Sequence, residues 1–339
     1  MTRTTPPWQP SAEQMALWPA VSGNTLNGLG EPAPRRPTPV YWHAPEATPH
    51  GPLQRWFQQH NPGGPLVAKA RAERQQVLET PLAPLAAQAV NRSAADWTAA
   101  VKREALAGGA DIVGVALMRP EWVFEGQAAP GRYIVMLGVA HDWERMKTAP
   151  EEASVAEVVT QYARGNRAAR ALASWLRAQG HEAHPHGGPM AGPVTLIPPA
   201  LACGFGELGK HGSIIHRELG SSFRLASVLT DVPLVPDAPD TFGADDFCLR
   251  CRVCEDACPP DAIAADKQLV RGEVRWYVDF DRCLPFFNEH GGCGICVAVC
   301  PWSRPGVAPR LVEKLARRGA PPEGADATGA AQADSAKPS

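Results

Sequence analysis

The sequence lacks a long apolar run, an excess of charge of either sign, and a recognisable secretory leader. No stretch reaches the roughly 18 consecutive apolar residues that a membrane-spanning helix needs, and the formal net charge of the 339 residues is −2. That balance gives no electrostatic reason to expect nucleic acid or an anionic membrane as a partner. The N-terminus has no charged start followed by an apolar segment, and Arg35-Arg36 precede a polar stretch. We therefore expect a cytoplasmic protein without a membrane span.

Nucleotide-binding fingerprints are also missing. No G-x-G-x-x-G follows an apolar run, and no G-x-x-x-x-G-K-[ST] occurs, so neither a flavin nor a nicotinamide site is indicated. The D-x-H-x-x-G signature, through which some proteins supply a histidine to cobalamin, is absent, and His186-Gly187-Gly188 matches it only superficially.

Cysteine is concentrated in one segment, which holds eight of the nine cysteines in the chain. The first four have the spacing C-x2-C-x2-C-x3-C-P, by which bacterial ferredoxins hold iron–sulfur clusters. The last three of the second four repeat its final part, C-x2-C-x3-C-P, and one further cysteine precedes them at a longer distance. The eight are Cys248, Cys251, Cys254 and Cys258, then Cys283, Cys293, Cys296 and Cys300. In a cytoplasmic protein such density indicates metal rather than disulfides.

Two [4Fe–4S] clusters are the prediction from this spacing. In two-cluster ferredoxins the fourth cysteine of each run binds the other cluster. One cluster then takes Cys248, Cys251, Cys254 and Cys300, and the other takes Cys258, Cys283, Cys293 and Cys296. The alternative is a pair of zinc sites, since C-x2-C pairs also bind zinc, although zinc ribbons do not usually show this run. Cys203 lies outside it and is expected to be a small buried side chain.

The rest of the chain divides by composition. Residues 1–55 form a Pro-rich irregular extension that wraps or trails, 56–235 an α/β domain, 236–310 the ferredoxin-type module, and 311–339 a disordered tail. Periodicity predicts helices near 65–88, 94–107 (capped by Ser93) and 150–179. Apolar runs predict strands at 111–118, 133–140 and 223–229. A loop is expected at 181–193, with His184 and His186 on the surface, and a short helix at 214–219.

Several segments together resemble the reductive dehalogenase family of corrinoid and iron–sulfur enzymes. They are residues 100–116, 132–142, 161–185 and 202–237 and the cysteine segment, which occur in the family's order and span about two-thirds of the chain. Epoxyqueuosine reductases share the same plan, but their second cysteine block usually has a longer gap. The nine residues between Cys283 and Cys293 look more like the dehalogenases.

The resemblance implies a nitroreductase-like corrinoid-binding core with a ferredoxin-type module attached, and base-off cobalamin near one cluster. It also implies a tyrosine that donates a proton and a basic residue that stabilises the phenolate, which match Tyr162 and Arg224. On periodicity alone, Tyr162 would be a core aromatic and Arg224 a solvent-facing residue. The corrinoid contacts match a Gly-rich stretch that permits close backbone approach: Gly204, Gly206, Gly209, Lys210, His211 and Gly212.

The sequence thus predicts a reductive dehalogenase-like oxidoreductase. Electrons from an external donor (a ferredoxin, flavodoxin or reductase) would pass through the clusters to cobalt, and hydrogen would replace halide on a small organohalide. Two alternatives stay open: an epoxyqueuosine reductase acting on tRNA, and a two-cluster electron-transfer protein without catalytic chemistry.

Overall fold

The computed structural model describes residues 8–60, 63–188 and 192–319 of the chain. Its α-helices alternate with short strands in the first two-thirds and become short and closely spaced around the cysteines. They are α1 Ala12–Ala16, α2 Gly23–Leu26, α3 Gly51–His60, α4 Pro65–Glu79, α5 Ala94–Ala107, α6 Trp143–Met146, α7 Glu152–Ala178, α8 Ile197–Ala202, α9 Ala244–Arg250, α10 Val253–Ala257, α11 Phe280–Glu289, α12 Ile295–Ala298 and α13 Val307–Gly319.

The strands form one four-stranded antiparallel sheet and two small hairpins. They are β1 Ile112–Leu117, β2 Tyr133–Ala140, β3 Ala183–Gly187, β4 Glu207–Leu208, β5 Ile214–Ile215, β6 Phe223–Thr230, β7 Gln268–Val270 and β8 Glu273–Arg275. The sheet order is β1-β2-β6-β3, and the hairpins pair β4 with β5 and β7 with β8.

The central strand β2 is buried on both faces because alternate side chains serve two separate cores. Tyr133, Val135 and Leu137 pack with α5 and α7, while Ile134 and Met136 pack on the opposite face beneath α8. This alternation follows from the two-residue period of a strand. The long helix α7 presents small residues and leucines to the first face, so helix and sheet form two layers.

The helices and strands predicted from periodicity are confirmed in position, except that the helix expected over 65–88 ends at Glu79, because Thr80 precedes Pro81 and is extended. Ser93 caps α5 by accepting a hydrogen bond from the Asp96 main-chain N–H. The apolar runs at 111–118, 133–140 and 223–229 are β1, β2 and β6. Among the described residues, no helix, including the 27-residue α7, combines the length and apolar character that a membrane crossing requires.

The N-terminal segment (residues 8–60) wraps across the cysteine-bearing module and reaches the sheet domain. Asn24 and Asn27 hydrogen-bond to Tyr277 at 2.8 and 3.2 Å, and the Gly30 main-chain N–H donates to the Leu269 carbonyl at 2.8 Å. On the other side Arg36 donates to the Val123 carbonyl at 2.9 Å. The segment therefore joins the two parts of the molecule, and it contains α1–α3 although its composition indicated irregular chain. Residues 1–7 lie outside the described residues.

Three further expectations differ from the structure. The chain at 214–219 is not helical: it forms β5 and then a bridge between His216 and Gly220. Part of the expected loop at 181–193 is the edge strand β3, with 189–191 outside the described residues. The expected irregular tail begins as the helix α13, whose Leu311 and Leu315 pack against the core around Trp302; residues 320–339 are not described.

Candidate functional site

The first cysteine group comprises Cys248, Cys251, Cys254 and Cys300, which surround one internal cavity. Cys248 lies within α9, Cys251 directly follows that helix, and Cys254 is the second residue of α10. Cys300 is the last cysteine of the second run. Lys210, His211, Phe247, Pro301 and Trp302 complete the lining. The structure thus brings together the same four cysteines that the crossed ferredoxin pattern predicts for one cluster.

The second cysteine group comprises Cys258, Cys283, Cys293 and Cys296. Cys258, Cys283 and Cys296 pack in one apolar cluster, which Cys254 of the first group also contacts. Burial first, and then the neighbouring Cys258 and Cys293, raise the pKa of Cys283 to about 12. The two groups are therefore adjacent, as the arrangement of a two-cluster ferredoxin requires.

Burial keeps these thiols protonated when no metal is bound. It raises the pKa of Cys248 and Cys254 to about 12 and that of Cys293 to about 11. A buried thiolate needs a compensating positive charge, which iron supplies, so binding of metal here must release protons. Cys203 is only 4% exposed and packs in the apolar core beneath α8, as predicted.

A cavity of about 370 Å³, which we call the large cavity because it far exceeds that of the first cysteine group, lies between the start of β6, the start of β5 and the N-terminal segment. Its walls are mostly aromatic and aliphatic, with a few polar groups among them. The lining residues are Tyr41, Trp42, His43, Phe124, Tyr162, Gly188, Gly192, Val194, Thr195, Leu196, Ile197, Ser213, Ile214, Ser221, Phe223, Arg224 and Leu225. Apolar walls with few polar groups are typical of small-molecule sites.

Tyr162 and Arg224 meet at this cavity, with the guanidinium carbon 5.4 Å from the centre of the phenol ring. Local geometry explains the pairing. Tyr162 and Gly165 share one face of α7, and Arg224 and Ala226 share one face of β6. A Cβ atom on Gly165 would lie 3.3 Å from that of Ala226, so helix and strand approach closely there. That contact fixes the register in which the phenol lies beside the guanidinium.

Buried polar atoms surround this pair. Arg224 Nε is buried without a hydrogen-bond partner in the described part of the chain. Behind it, burial and then the Arg224 charge hold the pKa of His141 well below its usual range, so the ring is neutral beside the cation. Burial lowers the pKa of Arg74 on α4, and the nearby Tyr162 opposes that shift. Tyr162 therefore lies in a basic environment.

His186 is not a surface histidine, contrary to the expectation from its polar surroundings. It lies on β3, its Nε2 atom is buried, and burial lowers its pKa to about 4. His184, its neighbour on the same strand, is half-buried.

A thin wall separates the large cavity from the first cysteine group. Ser221 lines the large cavity, is 2% exposed, and hydrogen-bonds to the Cys300 sulfur as well as to Ser303 Oγ at 2.7 Å. Ser213 lines the same cavity and donates its main-chain N–H to His211 Nδ1, 3.1 Å away. His211 in turn faces the cysteines. Two short bridges therefore connect the large cavity to the first cysteine group.

The six residues predicted to contact a corrinoid do not line the large cavity. Gly204, Gly206, Gly209 and Gly212 shape the β4–β5 hairpin; at Gly206, where φ is 109°, a Cβ would lie 2.0 Å from the Ile215 carbonyl oxygen. Lys210 and His211, at the tip of that hairpin, line the cavity of the first cysteine group instead. The hairpin thus belongs to the wall between the two sites.

The N-terminal segment contributes to the site, although sequence reasoning assigned it no functional residue. Tyr41, Trp42 and His43 line the large cavity, and the Tyr41 hydroxyl donates to Asn288 Oδ1 at 2.8 Å. The buried Gln54 holds Trp42 and His43 by two hydrogen bonds. The available signal was the density of aromatic residues in an otherwise irregular region.

The large cavity suits a broad, flat group with a polar rim. Phe223, Leu225 and Ile214 offer apolar surface, whereas Arg224 Nε is a buried donor that lacks a partner among the described residues. A corrin presents apolar faces and a rim of amide side chains, so the residues present fit such a group. The eight cysteines, in two adjacent groups of four, fit iron–sulfur clusters.

Comparison with known proteins gives one domain match and several relatives. A family described as "4Fe-4S dicluster domain" matches residues 247–303. Tetrachloroethene reductive dehalogenase of Desulfitobacterium hafniense is 34% identical over 210 residues, which are 58% of this chain and 37% of that protein. The enzyme of the same name from Sulfurospirillum multivorans is 29% identical over 251 residues, 60% of this chain and 50% of that protein.

More distant similarity extends to epoxyqueuosine reductase of Burkholderia pseudomallei, 30% identical over 198 residues, 49% of this chain and 46% of that protein. Among solved structures, a catabolic reductive dehalogenase superposes with a TM-score of 0.73 at 23% identity, covering 90% of this chain and 47% of that chain. This likeness establishes the fold. The predicted resemblance and the predicted architecture, a mixed α/β core followed by a ferredoxin-type 4Fe–4S domain, are confirmed. The chain spans between about a third and a half of the length of these dehalogenases.

Proposed function

We propose that this chain, a homologue of the reductive dehalogenases, is a reductive dehalogenase-like oxidoreductase that depends on a corrinoid and on iron–sulfur clusters. It is a more distant relative of the epoxyqueuosine reductases. The observation that carries the proposal is the position of the large cavity. One of its walls presents the Tyr162–Arg224 pair, and another is shared with the first cysteine group through Ser221.

The cysteines would carry electrons to the cavity. Each group of four would hold one [4Fe–4S] cluster, with the crossed assignment of two-cluster ferredoxins. In the second group Cys283, Cys293 and Cys296 are each partly accessible, whereas three members of the first group are buried. This difference supports entry of electrons from an external donor at the second group and exit from the first group into the cavity.

The corrinoid, when bound, would supply a cobalt centre able to transfer electrons to a carbon–halogen bond. Phe223, Leu225 and Ile214 would contact its apolar face, and the N–H donors of Arg224 would hydrogen-bond its polar rim. The N-terminal residues Trp42 and His43 would close the opposite side of the cavity and limit the entry of water.

Tyr162 would donate the proton that replaces halide. A phenol has a pKa near 10 and is a weak acid at neutral pH unless a cation stabilises its anion. The Arg224 guanidinium, 5.4 Å from the ring centre, keeps its charge at any physiological pH and supplies that stabilisation.

The test is anaerobic purification of the full chain, reconstitution with iron, sulfide and cobalamin, and measurement of halide release from an organohalide with a chemical reductant. General acid catalysis contributes about 10²–10⁴-fold, so Tyr162→Phe should lower turnover by at least about a hundredfold with metal content unchanged. Tyr133→Phe is the matched control, because Tyr133 is buried beside Arg132 but lies outside the cavity. Iron loading without cobalamin binding, or full activity in Tyr162→Phe, would refute the proposal.

The second candidate substrate is epoxyqueuosine in tRNA, favoured only by the similarity to epoxyqueuosine reductases. The same reconstituted protein offered a tRNA stem-loop that contains epoxyqueuosine would distinguish the two. Conversion of that substrate without halide release from any organohalide would replace the first candidate by the second.

A further inference from the structure

His211 is buried in the wall between the first cysteine group and the large cavity. It lies in the hairpin between β4 and β5, is 6% exposed, and lines the cavity formed by Cys248, Cys251, Cys254 and Cys300. Nothing in the proposed reaction uses this ring. Its position nevertheless places it beside any group that the four cysteines hold.

The hydrogen bonding of the ring fixes which nitrogen carries the proton. The Ser213 main-chain N–H points at His211 Nδ1 from 3.1 Å, so Nδ1 must present a lone pair and accept. A neutral imidazole then carries its hydrogen on Nε2. That Nε2 atom is buried and has no partner within the described residues. A buried N–H group without an acceptor is destabilising, because it has lost its hydrogen bond to water.

The neighbouring Lys210 does not need the same acceptor. Its ammonium is 2% exposed, lies 3.3 Å from Glu255 Oε2, and is 5.1 Å from the centre of the Trp276 ring. The main-chain N–H of Lys210 hydrogen-bonds to the Cys248 sulfur. Main chain and side chain of residue 210 are thus both satisfied. Among the described residues that line this cavity, His211 Nε2 and Trp302 Nε1 are the buried nitrogen donors without a partner.

We propose that His211 donates an Nε2–H hydrogen bond to a sulfur atom of the cluster held by the first cysteine group and thereby raises the reduction potential of that cluster. This inference rests on the cluster assignment of the proposed function. Reduction adds one electron, supplied by the external donor, and increases the negative charge on the sulfur atoms. A hydrogen bond to sulfur therefore stabilises the reduced cluster more than the oxidised one, and such bonds are among the determinants of cluster potential.

The location gives this bond a role in directing electrons. The first group is the one that abuts the large cavity through Ser221 and Ser213. A raised potential there places the electron on the cluster next to the cavity rather than on the cluster of the second group. His211 would then act as a tuning residue that touches neither substrate nor corrinoid.

The experiment is a redox titration of the reconstituted full chain followed by electron paramagnetic resonance, for wild type and His211→Leu. Leucine has a similar volume but no donor. The expected result is that one of the two cluster midpoint potentials falls by about 59 mV, equivalent to a tenfold change in its one-electron equilibrium, while the other stays constant. His211→Gln, which keeps an N–H donor, should restore most of the difference.

The matched control is His216→Leu. His216 is also buried, and its Nδ1 also accepts main-chain N–H groups, from Glu218 and Leu219 at 3.2 Å each. It does not line the cysteine cavity, so neither midpoint potential should move. An equal shift in both leucine variants would overturn the proposal, because it would identify a general effect of the hairpin.

The possible failures are distinguishable. If wild type assembles no 4Fe–4S cluster, the proposed function fails and the inference falls with it. If clusters assemble in wild type and His211→Leu with the same potentials, only the inference fails. Should His211→Leu not load iron, pulsed resonance on wild type with ¹⁵N-labelled histidine replaces it: a nitrogen coupling to one reduced cluster supports the proposal, and its absence overturns it.

Discussion

Replacement of Gln54 by alanine is expected to loosen the cavity wall formed by the N-terminal segment. Gln54 is fully buried on α3; its Oε1 accepts from the Trp42 main-chain N–H and its Nε2 donates to the His43 carbonyl, both at 2.7 Å. Trp42 has a φ of 60°, a left-handed conformation that costs a residue with a Cβ about 1–2 kcal/mol. The two hydrogen bonds hold this unfavourable backbone in place.

The magnitude follows from the two bonds that are lost. Alanine leaves one partly buried donor and one partly buried acceptor unpaired, each costing about 1.5 kcal/mol within the usual range. The free energy that opposes local opening of the segment at Trp42 should fall by about 3 kcal/mol. Because 1.4 kcal/mol is a tenfold change, the opening equilibrium increases by about a hundredfold. The backbone strain at Trp42 is present in both proteins, so it does not change the difference in opening free energy between them. It does favour a change of backbone conformation once the segment is released.

Hydrogen exchange measured by mass spectrometry reports this opening directly. A peptide that covers Val40–His43 should exchange about a hundredfold faster in Gln54→Ala. Gln58→Ala is the matched control, because Gln58 is exposed on the same helix. Exchange in Gln54→Ala that equals that in Gln58→Ala would refute the assignment of Gln54 as the residue that positions this wall.

Three further outcomes are expected from individual positions. Glu207→Ala removes the carboxylate that accepts four main-chain N–H groups at the start of α9, so iron content after reconstitution should fall, whereas Glu218→Ala, at an adjacent loop, should leave it unchanged. Gly206→Ala places a Cβ 2.0 Å from the Ile215 carbonyl and should lower the melting temperature by several degrees. His186→Gln should make stability less sensitive to acid. Burial lowers the folded-state pKa of His186 to about 4, so only the unfolded state gains a proton as the pH falls below about 6.5. The free energy of unfolding of wild type should therefore fall by ~2 kcal/mol by about pH 5.

Each of these outcomes has a contrary result. Unchanged iron content in Glu207→Ala would mean that α9 is held by its other contacts. An unaltered melting temperature in Gly206→Ala would show that the hairpin accommodates a side chain there. Identical pH profiles for wild type and His186→Gln would place the acid sensitivity on other groups.

The elements that could be predicted from sequence are those that local physics determines. The helix after Ser93 begins with a side-chain cap, and β2 is an apolar run of strand length, so both have the predicted bounds within a residue or two. The cysteine groups were predictable for the same reason, because their spacing encodes the turns that bring sulfurs together. In the structure Cys248, Cys251, Cys254 and Cys300 line one cavity, and Cys258, Cys283 and Cys296 pack in one cluster. The crossed assignment of these ligands to two clusters stays a prediction.

The hairpin at β4–β5 shows where local reasoning stops. The sequence at 214–219 is compatible with a short helix. However, Gly206 and Gly212 adopt positive φ values that reverse the direction of the chain, and the segment pairs as a hairpin instead. Lys210 and His211, which were expected to contact a corrinoid, therefore line the cavity of the first cysteine group. The N-terminal segment is a similar case, since its order depends on partners about 250 residues away, such as Asn24 with Tyr277.

The Tyr162–Arg224 pair could not have been inferred from the pattern of either element, because each residue alone looks ordinary. Tyr162 falls on the apolar stripe of its helix, and a single arginine in an alternating strand usually faces solvent. What makes them a pair is the register of α7 on β6, and that register is set three residues beyond Tyr162. Gly165 lets the helix approach Ala226 to near van der Waals contact, whereas any larger residue would lift the helix away from the strand. The absence of one side chain thus governs the separation between phenol and guanidinium, and with it the proposed stabilisation of a phenolate. The proposed function therefore depends on Gly165, which has no reactive side chain, as well as on Tyr162 and Arg224.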